Sequence, residues 1–183
     1  MAIPAMEMIR SLGIDGFMIN RFNAGFPENH KAAGDLFLED KGFYDWLGDL
    51  ENYGSANNFQ IHFAIPIPPC ALPRGKIFPH LAFSFCPIGR EAEYLTVSPN
   101  GDLRPCNHLP VILGNLCDET IEEILQKEKY QKFLHELGDP PEFCRGCVAW
   151  KSCRGGCRGA AFSWSGTLKR HDPWLDKIRA SKI

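Results

Sequence analysis

Four cysteines lie within fourteen consecutive residues, from Cys144 to Cys157, and they constrain the fold of this chain more than any other feature. Their spacing is C-x2-C-x5-C-x3-C, with three glycines between them. Thiolates bind soft and borderline metals, and runs of thiols at this density are typical of a metal or cluster site. We therefore expect this segment to fold around an inorganic centre.

The whole chain has eight cysteines in 183 residues, and disulfides are the first alternative to a metal site. The N-terminal residues lack the basic-then-apolar order of a signal peptide, and no apolar run approaches the roughly 20 residues that span a bilayer. These features predict a soluble, cytoplasmic protein with no membrane partner. In a reducing cytosol, clustered thiols bind metals or act in catalysis more often than they form disulfides. A formal charge of -2 gives no indication of a nucleic-acid partner.

Zinc and iron–sulfur clusters both remain open for a site made of thiols. Structural zinc sites usually place a dozen or more residues between two Cys pairs, whereas five separate the pairs here. Such compactness is typical of runs that wrap iron–sulfur clusters. Four basic residues interleaved with the thiols would offset the charge of an anionic cluster: Arg145, Lys151, Arg154 and Arg158. We therefore favour iron–sulfur clusters and keep zinc as the alternative.

A second cysteine pair surrounds a predicted β-hairpin. Cys86, Gly101 and Cys106 read C-x14-G-x4-C. The run from Glu93 to Val97 alternates as a strand does, the residues that follow it up to Asp102 form a turn signal, and the chain would return to Cys106 as the partner strand. Such a hairpin brings both sulfurs to one centre, with Gly101 supplying the positive φ of the turn.

The two patterns together resemble the SPASM domain, the C-terminal auxiliary-cluster module of radical S-adenosylmethionine (SAM) enzymes that modify peptides and proteins. The shared signature is C-x14-G-x4-C, a gap, and C-x2-C-x5-C-x3-C, and Leu113 to Leu116 resembles the family's Gly-Asn motif. The resemblance covers about residues 70–175. A seventh family cysteine is missing here, and Trp174 and Leu175 occupy its expected place.

The resemblance implies two auxiliary [4Fe–4S] clusters with interleaved ligands. The first would be held by three thiols, completed by an upstream cysteine for which Cys70 is the candidate: Cys86, Cys106 and Cys157. The second would be held by the three remaining thiols of the run: Cys144, Cys147 and Cys153. Its fourth position would be open or filled by Asp172 or His171. Cys117 fits no ligand position and is predicted to be a buried thiol.

The first part of the chain predicts an α/β fold. Residues 2–12 and Phe43 to Leu50 have helical apolar spacing, and residues 54–58 break the second of these patterns. Residues 14–20 read as a short buried strand of a parallel sheet, and residues 59–67 read as a second strand. They resemble the end of the partial TIM-type barrel that precedes a SPASM domain. We expect domains at 1–69 and 70–183, the second loop-rich and α+β. In the second domain, Thr120 to Leu137 predicts two short helices, or one helix bent near Lys127.

The functional expectations follow from this resemblance. Auxiliary clusters would relay electrons or position a peptide or protein substrate. The C-x3-C-x2-C triplet that binds the SAM-ligating cluster is not found in this sequence. SAM would therefore be a cofactor only if the missing part of the barrel were supplied, whether this sequence is truncated, split or separately encoded from it. A zinc-stabilised interaction module, or a subunit of a split enzyme, is the alternative function.

Overall fold

The computed structural model describes residues 2–23, 40–89 and 95–180. These residues form a mixed α/β fold with two small three-stranded sheets. The chain divides into two compact units, between Phe85 and Cys86 and again between Pro173 and Trp174. The described part of unit 1 is thus 2–22, 40–85 and 174–180, and unit 2 holds 23, 86–89 and 95–173. No helix among the described residues has the length and apolar character needed to cross a bilayer.

Unit 1 is built on a parallel sheet flanked by helices. Its elements are α1 (Ala2–Ser11), β1 (Gly16–Ile19), α2 (Asp40–Asn57), β2 (Gln60–Phe63), a 3₁₀ turn (Pro69–Ala71), β3 (Leu81–Phe83) and the C-terminal helix, α7 (Trp174–Ala180). The strand order is β1-β2-β3, and both pairings are parallel. The predicted order helix, strand, helix, strand is therefore confirmed.

Three details of unit 1 differ from the sequence prediction. Strand β1 was expected to be buried, but it lies at the edge of the sheet and the Met18 side chain is 63% exposed. Helix α2 was expected to end before Gly54, yet it continues to Asn57. Gly54 serves packing here, because a Cβ at this position would lie 2.6 Å from the Cβ of His80. The short strand β3 was missed, since three residues after a proline-rich stretch carry no periodic signal.

Unit 2 contains an antiparallel sheet and short helices. Its elements are β4 (Thr96–Val97), β5 (Asp102–Arg104), β6 (Gly114–Asn115), α3 (Ile121–Gln126), α4 (Glu128–Gly138), a 3₁₀ turn (Glu142–Cys144), α5 (Trp150–Cys153) and α6 (Arg158–Ser165). The hairpin β4–β5 is confirmed, although Glu93 lies outside the described residues. Gly101 has φ +86, and a Cβ there would lie 2.6 Å from the side-chain oxygen of Asn115.

The helical region after the hairpin consists of two helices that meet at Lys127, as predicted. Thr120 caps α3 through a reciprocal capping box with Glu123. The Thr120 hydroxyl accepts the backbone N–H of Glu123, and the Glu123 carboxylate accepts the backbone N–H of Thr120. These bonds hold the pKa of Glu123 below its usual value. Ile124 of α3 is fully buried in the core of unit 2.

Removal of this cap gives the first prediction. Thr120→Ala should lower the free energy of unfolding by about 1 kcal/mol, because the N–H of Glu123 loses its acceptor. Chemical denaturation of the apo-protein measures this change. Thr120→Ser retains the hydroxyl and is the matched control. Equal losses in the two variants would contradict the cap's contribution.

Candidate metal centre

The eight cysteines all lie in the described part of the chain, and each is a free thiol. Five are buried, all of them in unit 2: Cys86, Cys106, Cys144, Cys153 and Cys157. Three are exposed: Cys70, Cys117 and Cys147. The prediction that Cys117 is buried is wrong, because it follows β6 in a surface turn where its N–H bonds the side-chain oxygen of Asn115. Within residues 2–23, 40–89 and 95–180, no three His, Cys, Asp or Glu side chains converge as ligands of a single metal ion.

Cys106 lies at the end of the hairpin in a tight loop that closes at Leu109. Its Sγ accepts the backbone N–H of His108 at 3.2 Å. Burial raises the pKa of the Cys106 thiol above its usual value, the His108 bond opposes this rise, and the nearby Cys86 adds to it. The Cys86 and Cys106 thiols therefore lie near enough to interact electrostatically.

Cys157 is fixed at the N-terminus of α6 by three hydrogen bonds. Its Sγ accepts the backbone N–H of Ala160 and the side-chain amide of Asn23, each at 3.4 Å. Its own backbone N–H donates to the Asp172 carboxylate at 2.9 Å. Asp172 is fully buried. Donors directed at a sulfur stabilise negative charge on it, so this environment suits a thiolate.

The loop that carries Cys106 packs directly on helix α6, which follows Cys157. Gly159 makes this approach possible, because a Cβ at this position would lie 2.8 Å from the Cβ of His108 and 2.9 Å from its carbonyl oxygen. Ser163, one turn further along α6, donates to the same carbonyl oxygen at 3.4 Å. The chain thus places the segments of Cys106 and Cys157 side by side, although they lie far apart in sequence.

Turns of the backbone position the second group of thiols, which are Cys144, Cys147 and Cys153. Cys144 ends a 3₁₀ turn, and its carbonyl accepts the N–H of Cys147 at 3.1 Å. Cys153 ends α5, and the next three residues all have positive φ, at +50, +76 and +93 for Arg154, Gly155 and Gly156. This left-handed segment reverses the chain between Cys153 and Cys157. A Cβ on Gly155 would lie 3.3 Å from the Sγ of Cys144.

Arg158 links the two groups of thiols. Its side chain is fully buried, and burial lowers the pKa of its guanidinium, while the charges of Cys86, Cys144, Asp172 and Cys157 oppose that shift. Its guanidinium therefore lies in the field of thiols from both predicted sets. Its Nε has no hydrogen-bond partner among the described residues. A buried cation with an unused donor, surrounded by thiols, fits an anionic iron–sulfur cluster.

Part of unit 2 matches a known protein family. Residues 86–148 match the SPASM family, an iron-sulfur cluster-binding domain. The resemblance predicted from the cysteine spacing is confirmed. The matched SPASM segment contains four of the predicted ligands, Cys86, Cys106, Cys144 and Cys147, and it ends before Cys153 and Cys157.

Curated relatives match about half of the chain. A PqqA peptide cyclase from Xanthomonas oryzae pv. oryzae (strain MAFF 311018) is 30% identical over 99 residues, which are 52% of this chain and 27% of that protein. An AdoMet-dependent heme synthase from Methanosarcina barkeri (strain Fusaro / DSM 804) is 32% identical over 81 residues, which are 43% and 22%. The matched part thus spans about a quarter of the length of these relatives.

Among solved structures, the chain is similar to anSMEcpe with bound AdoMet. That similarity has a TM-score of 0.47 and 14% identity and covers 95% of this chain and 53% of the other. A second structure, native anSMEcpe with bound AdoMet and Cp18Cys peptide, has a TM-score of 0.44 and 13% identity and covers 95% and 56%.

Several residues singled out in the sequence lie outside the SPASM segment. Cys70 is exposed in the 3₁₀ turn of unit 1, and Trp174 and Leu175 are buried in the core of that unit. His171 packs its ring on Phe143, with centroids 4.6 Å apart. The contacts made by Asn23, Asp172 and Arg158 were missed, because no local sequence pattern joins residues that lie this far from their partners.

The close approach at Gly159 gives the second prediction. Gly159→Ala should lower the free energy of unfolding by about 1–3 kcal/mol, because the new methyl group would overlap the His108 backbone. Denaturation of the apo-protein measures it. Gly138→Ala is the matched control, since a Cβ at that helical glycine meets nothing within 4 Å. A Gly159→Ala protein as stable as the control would show that the Cys106 and Cys157 segments do not pack as described.

Proposed function

We propose that this chain is the auxiliary-cluster portion of a radical SAM enzyme that modifies a peptide or protein. The observation that carries the proposal is the SPASM match at 86–148, together with a buried guanidinium, that of Arg158, on which the charges of Cys86, Cys144 and Cys157 act. The oxidised and reduced forms of a bound [4Fe–4S] cluster differ by one electron, so the cluster can accept and donate single electrons. The cluster's role would be electron transfer or positioning of the substrate.

The first proposed ligand set is Cys86, Cys106 and Cys157, completed by Cys70. The interaction between the Cys86 and Cys106 thiols supports it, as does the packing of α6 on the loop that carries Cys106. The protein would hold these thiols at fixed positions and keep water away from them. The burial of Cys86, Cys106 and Cys157 supports this role. Cys70 enters by the family resemblance alone.

The second proposed set is Cys144, Cys147 and Cys153, with Asp172 as the candidate for the fourth ligand. Burial of Cys144 and Cys153 supports it, and exposed Cys147 places one side of this set near solvent. The Asp172 carboxylate is buried but already accepts the N–H of Cys157. As a ligand it would have to use its other oxygen or give up that bond.

The proposed substrate class rests on the names of relatives. One named activity, PqqA peptide cyclase, refers to a peptide, and the other, AdoMet-dependent heme synthase, refers to haem. A peptide or protein is proposed because the cysteine spacing resembles modules of peptide-modifying enzymes. SAM cleavage would require the radical SAM core, whose C-x3-C-x2-C motif is not in this sequence. The edge position of β1 and the exposed Met8, Leu12 and Met18 side chains suit contact with a polypeptide segment that carries that core.

Cluster assembly tests the ligand sets. Anaerobic reconstitution with iron and sulfide should give a brown protein absorbing near 400 nm. Single Cys→Ala changes at Cys86, Cys106 or Cys157 should each lower the iron bound per chain, because each removes one thiolate of the first set. Cys117→Ala is the matched control and should bind as much iron as the wild type, since this exposed thiol belongs to neither set.

Two results would count against the proposal. A colourless wild-type protein that binds stoichiometric zinc and gains no iron on reconstitution would favour the zinc-stabilised interaction module. Iron binding that falls as much in Cys117→Ala as in Cys106→Ala would contradict the assignment of the first set. Cys70→Ala decides the fourth ligand, because unchanged iron binding in that variant would remove Cys70 from the set.

A further inference from the structure

Arg158 carries a positive charge in a fully buried position next to a proposed ligand. It is the first residue of α6 and follows Cys157 directly. Its side chain has no exposed surface. A buried charge is strongly unfavourable unless an opposite charge and hydrogen bonds compensate it. The surroundings of the Arg158 guanidinium must therefore supply both hydrogen-bond acceptors and negative charge.

Backbone carbonyls satisfy part of the guanidinium. Nη1 donates to the carbonyls of Arg154 at 3.2 Å and of Arg170 at 2.9 Å. Nη2 donates to the carbonyl of Leu168. These bonds tie the loop before Asp172 to the start of α6. They are made to neutral acceptors, so they orient the guanidinium without neutralising its charge.

The Nε–H of Arg158 is the remaining feature to explain. Nε is buried and has no hydrogen-bond acceptor within the described ranges 2–23, 40–89 and 95–180. The two Nη atoms, by contrast, have backbone carbonyls as acceptors. An unpaired buried donor is destabilising, and such donors in native proteins commonly mark an ion or ligand.

Thiols from both proposed sets act electrostatically on this guanidinium. They are Cys86 and Cys144, together with Cys157, and the Asp172 carboxylate acts on it as well. Independent geometry places the Cys144 sulfur close to the guanidinium. A Cβ built on Gly155 would lie 3.3 Å from the Sγ of Cys144 and 3.5 Å from the Nη1 of Arg158. Arg158 is therefore adjacent to sulfur ligands of each set, whereas the other basic residues of the cysteine run are exposed or half-buried.

We propose that Arg158 is a positioning residue that donates its Nε–H to a sulfur of a bound iron–sulfur cluster and stabilises the reduced cluster with its charge. The inference rests on the proposed function, because it requires that the thiols hold a cluster. Reduction adds one electron to an anionic cluster, so a fixed buried cation favours the reduced form. The potential of the cluster in this chain is thus set partly by a side chain that is not a ligand.

The first test measures the one-electron reduction potential of the reconstituted full chain, by EPR-monitored titration with dithionite and mediators. Arg158→Gln should shift the potential downward by at least 59 mV, which is a tenfold fall in the equilibrium constant for one-electron reduction. Arg158→Lys retains the charge and should recover part of the shift. Arg145→Gln is the matched control. Arg145 is exposed and follows Cys144 directly. Because solvent screens its charge, the Arg145→Gln change should alter the equilibrium constant for reduction by less than tenfold.

The second test can overturn the inference with the wild-type protein alone. The reduced wild-type protein, labelled with ¹⁵N in the arginine guanidinium groups, should show a weak ¹⁵N coupling to the cluster in pulsed EPR. Arg158→Lys should lose this coupling, since lysine has no guanidinium. A fully loaded wild-type protein without any ¹⁵N coupling would overturn the inference, and so would a loaded Arg158→Gln protein with an unchanged potential.

The outcomes separate the inference from the function on which it rests. A wild-type chain that assembles no cluster contradicts the proposed function and removes the basis of the inference with it. A wild-type chain that assembles clusters but shows no coupling contradicts the inference alone. An Arg158→Gln protein that does not fold leaves the labelled wild type as the deciding sample.

Discussion

The packing of unit 2 depends on a buried positive charge among thiols. Arg158 is held by carbonyls of three residues, and Cys157, its neighbour, is held by the buried carboxylate of Asp172. These contacts join the cysteine run to the loop that ends at Pro173. A fully buried guanidinium is costly to the fold unless negative charge compensates it, and the groups whose charges act on Arg158 are Asp172 and three of the thiols, Cys86, Cys144 and Cys157. The fold of this unit and its capacity to bind an inorganic centre are therefore two aspects of one arrangement.

Much of the local structure could be predicted from the sequence. The hairpin, the paired helices around Lys127 and the parallel pairing of β1 with β2 followed from periodicity and turn residues. The resemblance to SPASM followed from cysteine spacing, which is a local pattern. Each of these features depends on residues close together in the chain or on a regular repeat, and such signals are readable in one sequence.

Other features depended on contacts between distant residues and could not be predicted. Gly54 is expected from the sequence to interrupt a helix, but in the fold its lack of a side chain allows His80 to pack against it. Nothing in the sequence around Gly159 predicts that the loop of His108 packs against α6 at this residue. The burial of Arg158 could not be distinguished from the exposure of Arg145 by sequence alone. In each case the missing information was the identity of the neighbour, which only the folded chain supplies.

Mössbauer spectroscopy of the full chain, reconstituted anaerobically with ⁵⁷Fe and sulfide, tests the central claim most directly. It reports the form of all bound iron, including any iron that EPR does not detect. The account predicts that most of the bound iron is in [4Fe–4S] clusters. Iron present only as isolated high-spin ferrous ions, in a protein that binds zinc stoichiometrically, would contradict it.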